Sequence, residues 1–190
     1  MMNNINTDRV FEKLELAGRQ TDRLEFENCR FINCDFSNSI FNNCTFIDCN
    51  FTDCNMSMTK FYECGLQTVH FSKSKLMGIR FDECRDFLFN VSFTDSMLDY
   101  TWFINKKLHK TKFSGCSIRD ANFSGADLTK AVFVNCDLSG SVFDRTNLQQ
   151  SDFTSAYNYT MDPEINMLKG AKFSSEGLAG LLHKYNIKIS

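Results

Sequence analysis

Between residues 26 and 55 the chain reads FENCRFINCDFSNSIFNNCTFIDCNFTDCN, placing five cysteines in thirty residues. Thiols at that density raise three chemistries: a metal centre, a set of disulfides, or small apolar side chains that fill space. A structural zinc needs four ligands converging within about 2.3 Å of one point, and the sequence holds no CxxC pair. Its nine cysteines are an odd number, so they cannot all pair within one chain. Their spacing is more informative than their count. Eight of the nine stand two residues before a large apolar residue, and Cys84 keeps the same phase although Asp86 occupies the large position.

Those large residues are the organising feature. In steps of five from Phe26 come Phe31, Phe36, Phe41, Phe46, Phe51, Met56, Phe61, Leu66, Phe71, Leu76 and Phe81. After a slip of two residues the series resumes at Leu88 and runs through Phe93, Leu98 and Phe103 to Phe153, with Phe and aliphatic residues alternating. A helix would scatter a five-residue period around its axis, and one continuous strand would send it to alternate faces. The chain must therefore bend once per repeat. In a short extended piece the residue two before each centre points the same way. Those positions hold Cys29, Cys34, Ser39, Cys44, Cys49 and Thr59 early on, and Ala121, Ala126, Ala131 and Cys136 later. Each repeat thus turns one large and one small side chain inward and three outward, the pattern of a narrow solenoid.

"CDFSN", "ADLTK" and "CDLSG" in this pattern resemble the pentapeptide-repeat family. The resemblance implies an all-β solenoid, a right-handed quadrilateral β-helix with four repeats per coil. Residues twenty apart then stack at about 4.8 Å. Phe31, Phe51 and Phe71 form one column, and Phe41, Phe61 and Phe81 another. Cysteines in such columns run in parallel lines that do not converge on a metal. Their parallel Cβ atoms, about 4.8 Å apart, exceed the roughly 3.8 Å that a disulfide prefers. The thiols read as packing, and no metal, cofactor or catalytic residue is expected. An Asp before its centre, as at Asp127, Asp137 and Asp152, can accept from local backbone amides at a turn.

The ends differ. Residues 1–25 are expected to form an N-terminal cap, 26–157 the β-helix with its phase slip at 82–87, and 158–190 a C-terminal cap and dimerisation segment. Asp162 and Pro163 have the types of a helix N-cap and first turn. The stretch from Ser174 to Tyr185 reads as an amphipathic helix with Leu178, Leu181, Leu182 and Tyr185 on one side. That apolar face predicts a homodimer.

Surface chemistry offers two candidate patches. Near the slip, Phe89, Trp102 and Ile104 precede the basic cluster Lys106, Lys107, His109 and Lys110. Beyond it, Asp127, Asp137 and Asp152 form a candidate acidic partner face. The tail "GLAGLLHKYNIKI" resembles the Qnr-type quinolone-resistance branch of the family. That resemblance implies a non-enzymatic protein that dimerises through its tail and binds DNA gyrase or topoisomerase IV, with acidic faces that mimic duplex DNA. The chain departs from that branch in lacking long internal loops and in carrying Lys106 to Lys112. The alternative is an interaction module that meets another protein through the aromatic and basic patch.

Net charge is −2, so direct nucleic-acid binding is not expected. The start MMNNINTDRV lacks a basic stretch followed by an apolar one, and no run of eighteen apolar residues occurs. A cytoplasmic location without membrane contact is expected.

Overall fold

Each repeat makes one short extended segment and one corner, and four such units return the chain to its starting wall. In the computed structural model residues 4–188 are described, and they form a right-handed parallel β-solenoid of about 8 turns. Wall one holds strands Ile5–Thr7, Glu25–Glu27, Thr45–Ile47 and Gly65–Gln67, and continues through bridges at Lys107, Asp127, Asn147 and Met167. Wall two is an unbroken nine-stranded ladder from Val10–Glu12 to Lys172–Phe173. Wall three is a line of single bridges from Glu15 to Tyr157. Wall four holds Gln20–Asp22, Ile40–Asn42 and Lys60–Tyr62, then bridges linking Arg80, Trp102, Asn122 and Val142.

The predicted columns are present. Along wall two, Phe11, Phe31, Phe51, Phe71, Phe93, Phe113, Phe133, Phe153 and Phe173 stack continuously, with neighbouring centroids 4.5–5.5 Å apart. A second stack on wall four joins Phe41, Phe61, Phe81, Phe103, Phe123 and Phe143. The two stacks meet edge to face, as at Phe113 and Phe123 with planes at 90°. Burying a phenyl ring contributes about 2–3 kcal/mol and a good ring pair about 1 kcal/mol more, so the stacks supply the continuous core.

The small inward positions also make hydrogen bonds. Cys29 Sγ donates to the carbonyl of Asn6 at 3.3 Å, Cys49 to Phe26 at 3.4 Å and Cys64 to Phe41 at 3.3 Å, each reaching one coil down. Thr59 and Thr146 do the same with hydroxyls, to Phe36 at 2.7 Å and Phe123 at 2.9 Å. All nine thiols are buried and unbridged. Burial pushes Cys49 up to about 12. In the stacked pairs Cys34–Cys54 and Cys44–Cys64, hydrogen bonding between the sulfurs lowers the first thiol and raises the second.

Corners explain the Asn, Asp and Gly that follow most centres by two. That residue has positive φ at Asn28, Asn33, Asn38, Asn43, Asp48 and Asp53, for example. Asn and Asp tolerate this left-handed region better than other residues with side chains. Its N–H then bonds the next coil, as Asn28 does to the Ile47 carbonyl at 2.9 Å.

Three expectations change. Residues 5–24 already form a coil paired in register with 25–44, so the described part of the expected 1–25 cap belongs to the solenoid. Residues 1–3 of that cap lie outside the described residues, as do 189 and 190 of the terminal segment. Asp162 and Pro163 start a turn rather than a helix, with Asp162 Oδ1 accepting from the Glu164 N–H at 2.9 Å. The chain must reach the wall-one bridge at Met167 five residues after Asp162, which leaves no length for a helix. Leu88 is 60% exposed, and Phe89 is the residue that packs against the core.

Because the slot admits a small donor, Cys49→Ser should cost less than about 1 kcal/mol, whereas Cys49→Leu should cost about 1–3 kcal/mol by overpacking. Urea unfolding followed by circular dichroism measures both. Equal midpoints for the two variants would contradict a volume-limited slot.

Candidate functional site

At the slip, wall one changes its construction. Walls two, three and four cross it by lengthening the offset between coils to twenty-two residues, as in Phe71 with Phe93 and Arg80 with Trp102. Wall one loses its strand. The slip segment is tied downward by Arg85 N–H to the Cys64 carbonyl and Asn90 N–H to the Leu66 carbonyl, both at 2.9 Å. Arg85 Nη2 reaches further, to Thr45 Oγ1 at 2.9 Å.

Upward, no backbone bond joins Lys107 to the coil beneath among the described residues, although Asp127 and Asn147 make that bond in later coils. Lys106 replaces it. Its side chain is 2% exposed, and Nζ donates to the Cys84 carbonyl and to Asp86 Oδ1, the latter at 2.7 Å. The same ammonium lies 4.8 Å from the Phe89 ring centre. Lys106 therefore does not belong to an exposed basic patch. It occupies the small slot two residues before Leu108, and a long side chain fits there because the slip has opened space in the coil below. The anomaly was legible as the one Lys in a series, from Cys29, of Cys, Ser, Thr, Ala, Val and Ile broken otherwise only by Asp86 at the slip.

The slip leaves Phe87 74% exposed and Leu88 60% exposed. Leu88 takes the left-handed corner with φ +54°, an unfavourable conformation for a residue of its type. At this tip is a depression of about 470 Å³ lined by Ile47, Asp48, Gln67, Thr68, Leu88, Phe89 and Asn90. Lys107, His109 and Lys110 are exposed on wall one, one coil above.

Trp102 stands apart from that group, on wall four, with Ile104 half-buried. Arg80 lies over the indole at 4.6 Å and pairs with Asp82 at 2.6 Å. Tyr62 and Met58 are exposed on the same side, around a depression of about 290 Å³ that includes Lys60, Gly78 and Arg80. Gly78 has φ +72°, and a Cβ there would stand 2.4 Å from Met58 Sδ. The aromatic and basic patch is thus two surfaces.

The three aspartates also separate. Asp127 bridges within wall one, Asp137 within wall three, and Asp152 pairs along wall two. Each accepts from its own turn: Asp127 from Thr129, Asp137 from Ser139, and Asp152 from Thr154. They do not form one acidic face. Spacings of ten and fifteen residues are half and three-quarters of a coil, so the residues point in different directions.

Four walls, inward Phe and small slots recurring every five residues decide the classification. The chain belongs to the pentapeptide repeat family. The profile of the pentapeptide repeat region matches residues 24–103 and 107–180, the gap coinciding with the residues around buried Lys106. No curated protein matched the chain in sequence. Among solved structures, the full-length plasmid-mediated fluoroquinolone resistance protein QnrB1 superposes with a TM-score of 0.66 at 22% identity, covering 94% of this chain and 100% of QnrB1. HetL, a pentapeptide repeat protein involved in heterocyst differentiation regulation in the cyanobacterium Nostoc, gives 0.57 at 17% identity, covering 88% of this chain and 87% of HetL. These likenesses concern the fold.

The pentapeptide coil is closed at its C-terminal end by residues 174–185. Tyr159 packs between Phe153 and Phe173, and the tail crosses it closely. A Cβ on Gly180 would stand 2.1 Å from the Tyr159 carbonyl oxygen. Helix Ala179–Leu182 and a 3-10 turn at His183–Tyr185 follow, shorter than the expected helix. Leu181 packs on the core, Tyr185 Oη donates to Glu164 Oε1 at 2.9 Å, and Lys184 Nζ pairs with Asp162 and Glu164, each at 2.7 Å. Of the four predicted dimer residues, Leu178 and Leu182 remain exposed without such a role, at 48% and 37%.

Lys184 holds the Asp162 and Glu164 carboxyls below their ordinary range, with Tyr185 adding to the effect on Glu164. For carboxyls lowered by folding, the stabilisation is present above the unfolded values near 4 and is lost as pH falls through the lowered ones. The protection factors of residues 177–188, taken relative to intrinsic exchange at each pH, should therefore fall below about pH 4 while the wall-two ladder stays protected. Protection factors there that do not change with pH would contradict this anchoring. For the slip, Lys106→Met should cost about 2 kcal/mol by leaving the buried Cys84 carbonyl without its donor, against about 0.5 kcal/mol or less for exposed Lys107→Met. Denaturation of both variants checks the contrast.

Proposed function

We propose that the protein is a non-enzymatic binding rod that modulates or protects a type II DNA topoisomerase, with DNA gyrase the first candidate partner and topoisomerase IV the second. The observation that supports this reading is the correspondence of 94% of the chain to all of QnrB1, together with the Qnr-type tail. Stacked rings and a continuous ladder make a stiff body, so a partner meets a preformed surface with little ordering cost. The tail is the proposed homodimer contact through Leu178 and Leu182.

Wall four is the contact surface this reading favours. It exposes Tyr62, Trp102 and Arg80, and Tyr, Trp and Arg are the residue types that dominate interface energetics. The same surface supports a second reading, an interaction module for a different protein. Gyrase supercoiling and quinolone-inhibition assays with purified protein separate the two. Under the first reading the protein alters one of these activities, and Trp102→Ala with Tyr62→Ala weakens the effect about tenfold or more. Charge reversal at Asp127, Asp137 and Asp152, on three different walls, should change it far less. A protein that neither binds gyrase or topoisomerase IV nor changes either assay would leave the second reading, with crosslinking from position 102 as the route to its partner.

A further inference from the structure

Wall one is charged in two halves. Below the slip its exposed acids are Asp8, Glu27 and Asp48, with half-buried Glu25 among them. Above it the exposed bases are Lys107, His109, Lys110, Lys130 and Lys169. None of these acids and none of these lysines is in an ion pair among the described residues. Each half holds an opposite charge that is engaged internally: Arg85 bonds Thr45 in the acidic half, and Asp127 bonds Thr129 in the basic half. Between the halves stand the Phe87–Leu88 tip and the depression that Leu88 lines together with Ile47, Gln67 and Thr68.

From this arrangement we infer that wall one binds a second copy of the chain, antiparallel and face to face, about a two-fold axis between the Gln67 coil and the slip. Such an axis is isologous, so every contact occurs twice. It sets each corner of the wall against the same corner of the partner. The coil of Asp48 then faces that of Lys110, and Lys130 comes beside Glu27. The tip of each copy meets the depression of the other. A parallel arrangement would place acid on acid and base on base. Nucleic acid would be repelled by half of the wall, whereas a second copy complements both halves.

The tip is prepared for this role. Arg85 ties it two coils down, Lys106 holds it from above and Phe89 anchors it inward. Two exposed apolar side chains are therefore presented on a fixed backbone, which lowers the ordering cost of binding. The inference is independent of the topoisomerase reading, and its surface is separate from the tail.

Light scattering and sedimentation of the full chain carrying Leu178→Ser and Leu182→Ser, which disables the tail contact, test the inference directly. That protein should dimerise, more weakly as salt rises. Lys110→Glu with Lys130→Glu, and separately Glu27→Lys with Asp48→Lys, should each weaken the dimer about tenfold or more. An equimolar mixture of those two variants should recover it, because each supplies the charge the other now lacks. Phe87→Ser with Leu88→Ser should give a monomer whose circular dichroism is unchanged. The inference is overturned by a monomer at concentrations up to about 100 µM, by a dimer indifferent to salt and to both charge sets, or by a mixture that stays monomeric. Binding of a duplex DNA oligonucleotide that depends on Lys110 and Lys130, without dimerisation, would assign the wall to nucleic acid instead. Loss of association in the tail variant alone, with wild-type chain dimeric, would place the contact at the tail.

Discussion

The parallel backbone ladder fixes neighbouring coils about 4.8 Å apart, and every inward side chain must live with an equivalent neighbour at that distance. Phenylalanine satisfies the condition by stacking, as the nine-ring column on wall two shows. Small residues satisfy it by occupying little volume, and Cys, Ser and Thr add a donor for the carbonyl one coil down. Outward positions carry no such condition, which is why polar and charged residues vary there. Rigidity follows from the same geometry, since stacks and ladder propagate without interruption through wall two.

Two extra residues show how local a disturbance of this lattice is. Three walls absorb them by changing the offset from twenty to twenty-two while preserving the stacks. Wall one cannot, and its backbone bond is replaced by the Lys106 ammonium. A buried ammonium is costly unless it is paired and hydrogen-bonded, and here a carbonyl, a carboxylate and a ring face supply the compensation. The same event turns Phe87 and Leu88 outward as adjacent exposed apolar side chains in the middle of wall one, whose other exposed large apolar residues, Ile5 and Met167, lie singly towards its ends.

Surface function in a solenoid depends on position modulo the coil. Tyr62, Arg80 and Trp102 share wall four, because eighteen and twenty-two residues are each close to one turn. Charges acquire meaning in the same way. Wall one gathers acids from the early coils and bases from the later ones, a dipolar face that net charge conceals.

The sequence by itself determined the fold. A five-residue period with paired large and small positions calls for a narrow solenoid, and with the four repeats per coil that the family resemblance implies, the ring columns and the packing role of the cysteines follow. Lys106 was legible as an anomaly in the slot series, but its burial was not, because the space that receives it is made by a slip twenty residues earlier. Tertiary structure alone decided that Phe89 rather than Leu88 turns inward, since the two extra residues could be absorbed on any of several corners. It also decided which outward residues share a wall: Asp127, Asp137 and Asp152 look alike in the repeat yet point three ways. The inward pattern repeats every five residues and is read locally, whereas a face recurs only once per coil and takes its position from the accumulated turn of the whole chain.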